Sequence, residues 1–308
     1  MENIYSQIFK KYCISVKKLK EKRGGFNKNW IVYSDEGKYF LKRRPTSRRE
    51  NALADCEISD HLINNGITTA IPLKTVKSDY LFSDDNYVYS LFEYIHGSFY
   101  RDELLPSVAK IMAEFQEKTK NYDGIIGMEN NALEWTYSLS TNFENYDKYI
   151  SKAEHELKEI NLSKSLIHFD LHAGNMKFRG RKAIPFDFEY AHFDYKLIDV
   201  ANSLICLSAL DPNEIDYGNA ETFIRPCKLN FQKSKIFISE FNKYSNIKDE
   251  IEALPACLNI AWLGWALYTL NNIKYCEKTI KNVGFFPKWV EENKEKILKV
   301  HKDVLHRL

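Results

Sequence analysis

The spacing of hydrophobic and polar positions changes along the chain. From residue 30 to about residue 94, short apolar and aromatic runs alternate with turn residues. Residues 29–33 and 38–42 flank Ser34-Asp-Glu-Gly37, and residues 80–82 and 87–92 flank Asp84-Asp-Asn86. Each arrangement predicts a β-hairpin. Between them, Leu53, Cys56, His61 and Leu62 recur at three- and four-residue steps, which predicts a helix over 47–64 with Gly66 as its stop. After Gly97 the helical period dominates. Residues 107–120 place Val108, Ile111, Met112 and Phe115 on one face. A β-rich island at 166–190 interrupts the pattern, and helices resume from Ile198. The expected fold is α+β and two-lobed. A small β-rich lobe takes residues 1–96, a hinge lies near 92–97, and a larger, mainly helical lobe takes 97–308.

Composition narrows this picture only a little. The 308 residues suffice for two lobes with their own cores, and 44% apolar with 28% charged residues excludes wholesale disorder. A net charge of +2 supplies no global field toward nucleic acid or an acidic membrane, so neither is an expected partner. The six cysteines (Cys13, Cys56, Cys206, Cys227, Cys257 and Cys276) form no Cys-x-x-Cys pair, which suits mostly buried, reduced thiols in a cytoplasmic protein. Residues 1–22 are broken by charges and lack the apolar core of a signal peptide. The most apolar stretch, 254–270, contains Pro255 and Asn259 and reads as a buried helix rather than a membrane span. The basic run over 42–49 reads as a solvated connection.

The chemistry concentrates in Ile167-His-Phe-Asp-Leu-His-Ala-Gly-Asn-Met176 and Ala183-Ile-Pro-Phe-Asp-Phe-Glu-Tyr190. Phosphoryl transfer needs a carboxylate beside the acceptor hydroxyl, oxygen ligands for Mg²⁺, and a cation near the phosphates. Asp170 and Asn175 are five residues apart, and Asp187 ends a short apolar run twelve residues later. Together, His168-x-Asp170-x-His172-x-Gly174-Asn175 and Asp187-Phe-Glu189 resemble the signature of aminoglycoside phosphotransferases, choline kinases, homoserine-kinase-type enzymes and RdoA-like kinases.

This resemblance implies a protein-kinase-like fold that uses ATP and Mg²⁺, with Asp170 as the catalytic carboxylate and Asn175 and Asp187 as metal ligands. Lys42 resembles the strand lysine that reaches the ATP phosphates. Its expected partner is a glutamate on the following helix, Glu57 or, two turns earlier, Glu50. Gly24 and Gly25 precede the first hairpin as the candidate loop over the phosphates. Phe92-Glu-Tyr-Ile-His-Gly97 resembles the hinge, where the backbones of Glu93 and Ile95 would meet adenine. Asp199 and His168 are expected to support the catalytic loop, and His172 to lie at the surface.

On the acceptor side, Glu189, Trp262, Trp265 and Tyr268 are the candidates. Aromatics at three-residue spacing on an apolar helix ordinarily pack a core. The choline-kinase resemblance would instead make Trp262 and Trp265 an aromatic cage for an ammonium group. Two residues depart from that pattern: Phe169 stands where these enzymes carry Asn or Gly, and Cys206 about where choline kinases place an acid. The expected function is ATP- and Mg²⁺-dependent transfer of a phosphoryl group to a small-molecule hydroxyl, with choline or another amino alcohol, an aminoglycoside or a homoserine-like compound as acceptor. The alternatives are an RdoA-like protein Ser/Thr kinase and a catalytically silent nucleotide-binding scaffold.

Overall fold

Five antiparallel strands build the first lobe: β1 (Val16–Lys22), β2 (Lys28–Ser34), β3 (Lys38–Pro45), β4 (Leu81–Ser83) and β5 (Tyr87–Glu93), in the order β1-β2-β3-β5-β4. They were identified in a computed structural model that describes residues 4–22, 28–212, 214–216 and 219–306. Both expected hairpins are present. The β2–β3 turn closes through Ser34, whose hydroxyl oxygen accepts from the backbone N–H groups of Glu36 and Gly37. Alternation along β3 then decides what each face meets. Leu41 packs with Trp30, Val32 and Leu91 beneath α1 (Ile4–Lys11), which contributes Ile8 and Phe9. Lys42 and Arg44 take the other face, toward α2 (Arg49–Asn64).

Two of these elements were not visible in the sequence, and one was too short there. β1 reads Val-Lys-Lys-Leu-Lys-Glu-Lys and is mostly exposed at the sheet edge, so it carries almost no apolar signal. α1 is too short and charged to stand out by period. β3 runs through Pro45, three residues beyond the expected end. The connection over 42–49 is therefore not simply solvated, because Arg44 is buried at 1% exposure. α2 stops at Asn65, and Gly66 follows with φ at +83°, a conformation that glycine adopts without the Cβ clash.

The second lobe is helical: α3 (Leu105–Lys118), α4 (Ala132–Ser140), α5 (Asp147–Lys158), α6 (Lys196–Leu204), α7 (Ala220–Phe223), α8 (Phe231–Asn242), α9 (Leu254–Asn272), α10 (Glu277–Val283), α11 (Phe285–Glu292) and α12 (Lys294–Leu305). α9 runs through its centre with most of its residues buried. Together with the preceding turn it forms one apolar helix, Lys248–Asn272, long and apolar enough to cross a membrane; 89% of that window is buried inside the protein. Its apolar character is thus used in the core.

Two short ribbons on the face toward the sheet carry the loops of interest. β6 (Lys164–Ile167) pairs with β9 (His192–Tyr195), and β7 (Met176–Arg179) pairs with β8 (Lys182–Pro185). The loop containing Asp170 joins β6 to β7, and the segment containing Asp187 joins β8 to β9. Four cysteines are buried, whereas Cys13 and Cys276 are exposed, and all six are free thiols.

Candidate active site

Three sources bring side chains together at the cleft between the lobes. The β6–β7 loop supplies Asp170 and Asn175, the β8–β9 segment supplies Asp187, and β3 supplies Lys42. Asn175 Nδ2 donates to Asp170 Oδ2 at 2.8 Å and to the Asp170 carbonyl at 3.0 Å, which fixes the loop around the carboxylate. Lys42 Nζ lies 2.8 Å from Asp187 Oδ1. Burial acts to lower the Lys42 pKa, but the charges of Asp187 and Asp55 outweigh it and hold the ammonium above its ordinary value. Burial, followed by the negative charges of Asp187 and Glu189, raises Asp170 well above the usual carboxylate range, against the opposing pull of Asn175 and Arg48.

The loop that carries Asp170 is held from below. Asp199 on α6 accepts from the backbone N–H groups of His168 at 3.0 Å and Phe169 at 2.9 Å. His168 is buried; its Nε2–H donates to the Phe186 carbonyl and its Nδ1 accepts from the Asp170 N–H. That pattern requires a neutral ring, and burial lowers its pKa accordingly. His172 is not at the surface as expected. It is 8% exposed, its Nδ1 accepts from the Gly174 N–H, and its Nε2 lies 3.5 Å from Asp170 Oδ1. Burial pushes its pKa down to about 3, so a neutral imidazole borders the carboxylate.

Phe169 holds φ at +63°, in the left-handed region where a bulky side chain carries strain. The surroundings fix it there. Its ring is fully buried, and its carbonyl accepts from Asn202 Nδ2 at 2.6 Å and Trp265 Nε1 at 3.1 Å. Asp187 is likewise left-handed at φ +74°. It is held from α2, because Asp55 Oδ1 accepts the N–H of the next residue, Phe188, at 2.9 Å.

The lysine partner differs from the expectation. Lys42 Nζ donates to Asp55 Oδ2 at 2.7 Å, and neither Glu57 nor Glu50 takes that place. Glu57 points elsewhere and accepts from the Ile125 N–H at 3.1 Å. A helix turns about 100° per residue, so residue 57 faces nearly away from residue 55. Arg44 joins the same cluster, donating to Asp55 at 2.9 Å, to Glu189 through Nε, and to Ser90 at 3.3 Å. Arg48 adds a second cation 3.8 Å from Glu189. Burial would raise the Glu189 pKa, but these arginines outweigh it and hold the carboxylate below its ordinary value. Glu189 is thus tied to β3 and α2 rather than offered as a free acceptor-side acid. Asn51 completes the link by donating to the Gly127 and Glu189 carbonyls.

The tryptophan pair is split. Trp262 is fully buried and its indole N–H donates to the Val283 carbonyl, so it is a core residue and forms no cage. Trp265 lies beneath Phe169 and lines the cleft, with Trp135 and Tyr190 meeting it edge to face at 5.3 and 5.2 Å. Tyr268 reaches the same cluster through a 2.9 Å contact between its hydroxyl and that of Tyr190. Trp135, Asn202, Arg44, Arg48 and Asp55 are the site residues that the sequence reading missed.

One cleft of about 460 Å³ joins these parts. At one end Ile31, Phe40, Ala70, Phe92, Glu93 and Ile95 line it, and at the other Cys206, Phe223, Trp265 and Thr269, with Lys42, Asp170, Asn175 and Asp187 between. At the hinge, Glu93 donates its N–H to the Ile71 carbonyl, and Ile95 takes part in no backbone hydrogen bond among the described residues. Gly97 ends the hinge where a Cβ would lie 2.6 Å from the Phe178 carbonyl oxygen, so only glycine allows this approach. Gly24 and Gly25 lie outside the described residues. Among the described residues no group of three or more His, Cys, Asp or Glu side chains could cage a metal. Asn175 and Asp187 both line the cleft and offer hard oxygen donors, a set that would suit a divalent cation whose shell is completed by phosphate oxygens and water.

Several solved structures share this architecture. An amicoumacin kinase in complex with AMP-PNP and Ca²⁺ superposes with a TM-score of 0.73 at 15% identity, covering 94% of this chain and 92% of that one. A microcompartment-associated aminopropanol kinase gives 0.70 at 13% identity, with 96% and 98% covered. A choline kinase from Cryptosporidium parvum Iowa II gives 0.64 at 14% identity, with 94% and 93% covered. At these identities the likeness shows a shared kinase-like fold. No curated protein sequence matches the chain significantly. The sequence model of the phosphotransferase enzyme family matches residues 19–225, which span both the Lys42 strand and the Asp170 and Asp187 segments, and the chain belongs to that family.

Proposed function

We propose that this phosphotransferase moves the γ-phosphoryl group of ATP, with Mg²⁺, to the hydroxyl of a small molecule. The observation that carries the reading is the position of Lys42 and Asp187, 2.8 Å apart, in the same cleft as the Asp170–Asn175 pair. Bound Mg²⁺ and ATP supply the transferable group and the divalent charge that offsets its negative oxygens.

The protein's own residues have distinct tasks. Asp170 orients the acceptor hydroxyl and takes its proton as the oxygen attacks. The Asn175 amide, 2.8 Å from its Oδ2, holds that carboxylate in a fixed orientation for the transfer. Asn175 and Asp187 offer hard oxygen donors, and Lys42 a fixed positive charge that Asp55 keeps in place. Among the described residues no backbone hydrogen bond engages Ile95, which suits an adenine edge at the hinge.

The size of the cleft supports a small acceptor over a protein segment. About 460 Å³ for nucleotide and acceptor ends together lies within the range of small-molecule sites. The kinases that share the fold are named for amicoumacin, aminopropanol and choline, all compatible with this reading.

The deciding experiment measures ADP release with Mg²⁺ and ATP against choline, ethanolamine, homoserine, aminoglycosides and a generic protein substrate, with Asp170→Ala as control. Acceptor-dependent turnover that Asp170→Ala abolishes supports the proposal. Nucleotide binding without turnover on any member supports a silent scaffold, and no nucleotide binding at all overturns the reading.

A further inference from the structure

We infer that Lys177 and Phe99 form the floor of the nucleotide-base end of the cleft, where the Lys177 ammonium holds the base by lying against its π face. This inference rests on the nucleotide reading above.

Strand alternation places the relevant side chains. On β3, Phe40 lies two residues before Lys42 and lines the same cleft. On β7, Lys177 alternates with the buried Met176 and Phe178 and also lines it. An antiparallel bridge pins the segment after the hinge to β7: Ser98 N–H donates to the Phe178 carbonyl at 2.9 Å, and Phe178 N–H returns the bond to Ser98 at 3.0 Å. This bridge brings Phe99 beside Lys177, with Nζ 3.3 Å from the ring centroid.

Two features distinguish this pair from ordinary surface. Phe99 is 70% exposed, unusually open for a phenylalanine, and faces the cleft. Lys177 has no carboxylate within ion-pair distance among the described residues, whereas Lys42 has two. Its ammonium is therefore held by an aromatic face, in a part of the cleft whose other side chains include the apolar Ile31, Phe40, Ala70, Phe92 and Ile95. A flat heteroaromatic base entering between Phe40 and β7 offers Lys177 a second π face. In that reading the phosphates fall to Lys42, which lies next to Asp187.

The test compares Lys177→Met with the wild-type chain by titration calorimetry in Mg²⁺, using ATP, 2′,3′-dideoxy-ATP and inorganic tripolyphosphate. Thermal melting confirms that the variant is folded. The expected result is a loss of about tenfold in affinity for both nucleotides, the size of a desolvated cation–π contact, with tripolyphosphate affinity changed by less than about twofold. Lys177→Arg should retain most of the affinity. Unchanged ATP affinity overturns the inference. So does a loss confined to ATP, which would mean that the lysine reads the ribose hydroxyls, or an equal loss for tripolyphosphate, which would make it a phosphate ligand. Wild-type protein that binds no nucleotide refutes the functional proposal itself, a result distinct from all three.

Discussion

Lys42 and Asp55 form a buried ion pair, with Nζ 2.7 Å from Oδ2 and side chains 7% and 1% exposed. The aspartate does more than neutralise the lysine. Its second oxygen accepts the N–H of Phe188, so one carboxylate from α2 sets both the Lys42 ammonium and the backbone next to Asp187. A glutamate two positions on, Glu57, is bonded to the backbone of Ile125 on a different side of the helix.

These two acids should therefore separate cleanly on mutation. Asp55→Ala leaves Lys42 and Arg44 short of a counter-charge and frees the Phe188 N–H, a loss on the order of 3–5 kcal/mol for a broken buried pair. Asp55→Asn, which keeps the shape, should fold but lose turnover by about a hundredfold or more through misplacement of Asp187. Glu57→Gln should keep activity within about threefold and cost roughly 1 kcal/mol. Chemical denaturation and ADP release on all three variants check this, and a Glu57→Gln enzyme as inactive as Asp55→Asn would refute it.

Trp262 and Trp265 should part in the same way. Trp262 lies in the helical core, stacked on Phe223 at 5.7 Å and packed against Phe286 at 5.3 Å. Truncation to Ala should cost about 3–5 kcal/mol in stability. Trp265→Phe keeps the ring but removes the donor to the Phe169 carbonyl, which still has Asn202. The expected cost is about 1 kcal/mol or less of stability, with a larger proportional fall in kcat because the left-handed turn before Asp170 loses one of its two anchors. Equal stability losses in the two variants would show that Trp265 is merely core.

The difference between what the sequence disclosed and what it hid follows from geometry. Asp170, Asn175 and Asp187 were legible because short loops between apolar runs fix their spacing whatever the rest of the chain does. Asp55 was not, since the choice among acids on a helix depends on its rotation against the sheet, and two residues swing a side chain by about 200°. A signal was nevertheless present. Asp55 lies three residues after Ala52, four before Ser59 and seven before Leu62, all buried, so it occupies the inward stripe of α2. Arg44 lies two residues after Lys42 on the same strand face, but the strand seemed to end before it. The departure at Phe169 and the acid at Glu189 acquired meaning only from their partners, the Trp265 and Asn202 donors and the two arginines, which are distant in sequence.

Arg44 and Glu189 should behave as one unit. Arg44→Met strips Glu189 of its closest cation and leaves Asp55 to Lys42 alone, which should destabilise the protein by roughly 3–5 kcal/mol. Removing both charges together, as Arg44→Met with Glu189→Met, leaves no orphaned carboxylate and should recover at least about 1 kcal/mol relative to the sum of the single variants. Urea melts of the four proteins measure this coupling. Strict additivity would show that Glu189 draws its stabilisation from Arg48 and the surrounding backbone instead.

The helical lobe should carry its own pH dependence through His301. The imidazole on α12 is fully buried, with Nδ1–H donating to the Ile297 carbonyl at 2.7 Å and Nε2 2.9 Å from the Ser234 hydroxyl. Burial, reinforced by the nearby Lys235 charge and only partly opposed by the Ile297 carbonyl, lowers its pKa from 6.5 to about 4. Between those two values the unfolded chain binds a proton that the folded chain does not. Stability must therefore rise with pH across this window, and the contribution, roughly 3 kcal/mol at its full extent, is lost as pH falls from 6.5 toward 4. His301→Gln retains hydrogen-bonding capacity without a titrating ring. Relative to wild type it should show a shallower fall in unfolding free energy over this window, and the two curves should run parallel above pH 7. Equal slopes below pH 6.5 would mean that His301 takes up its proton in the folded protein as readily as in the unfolded chain.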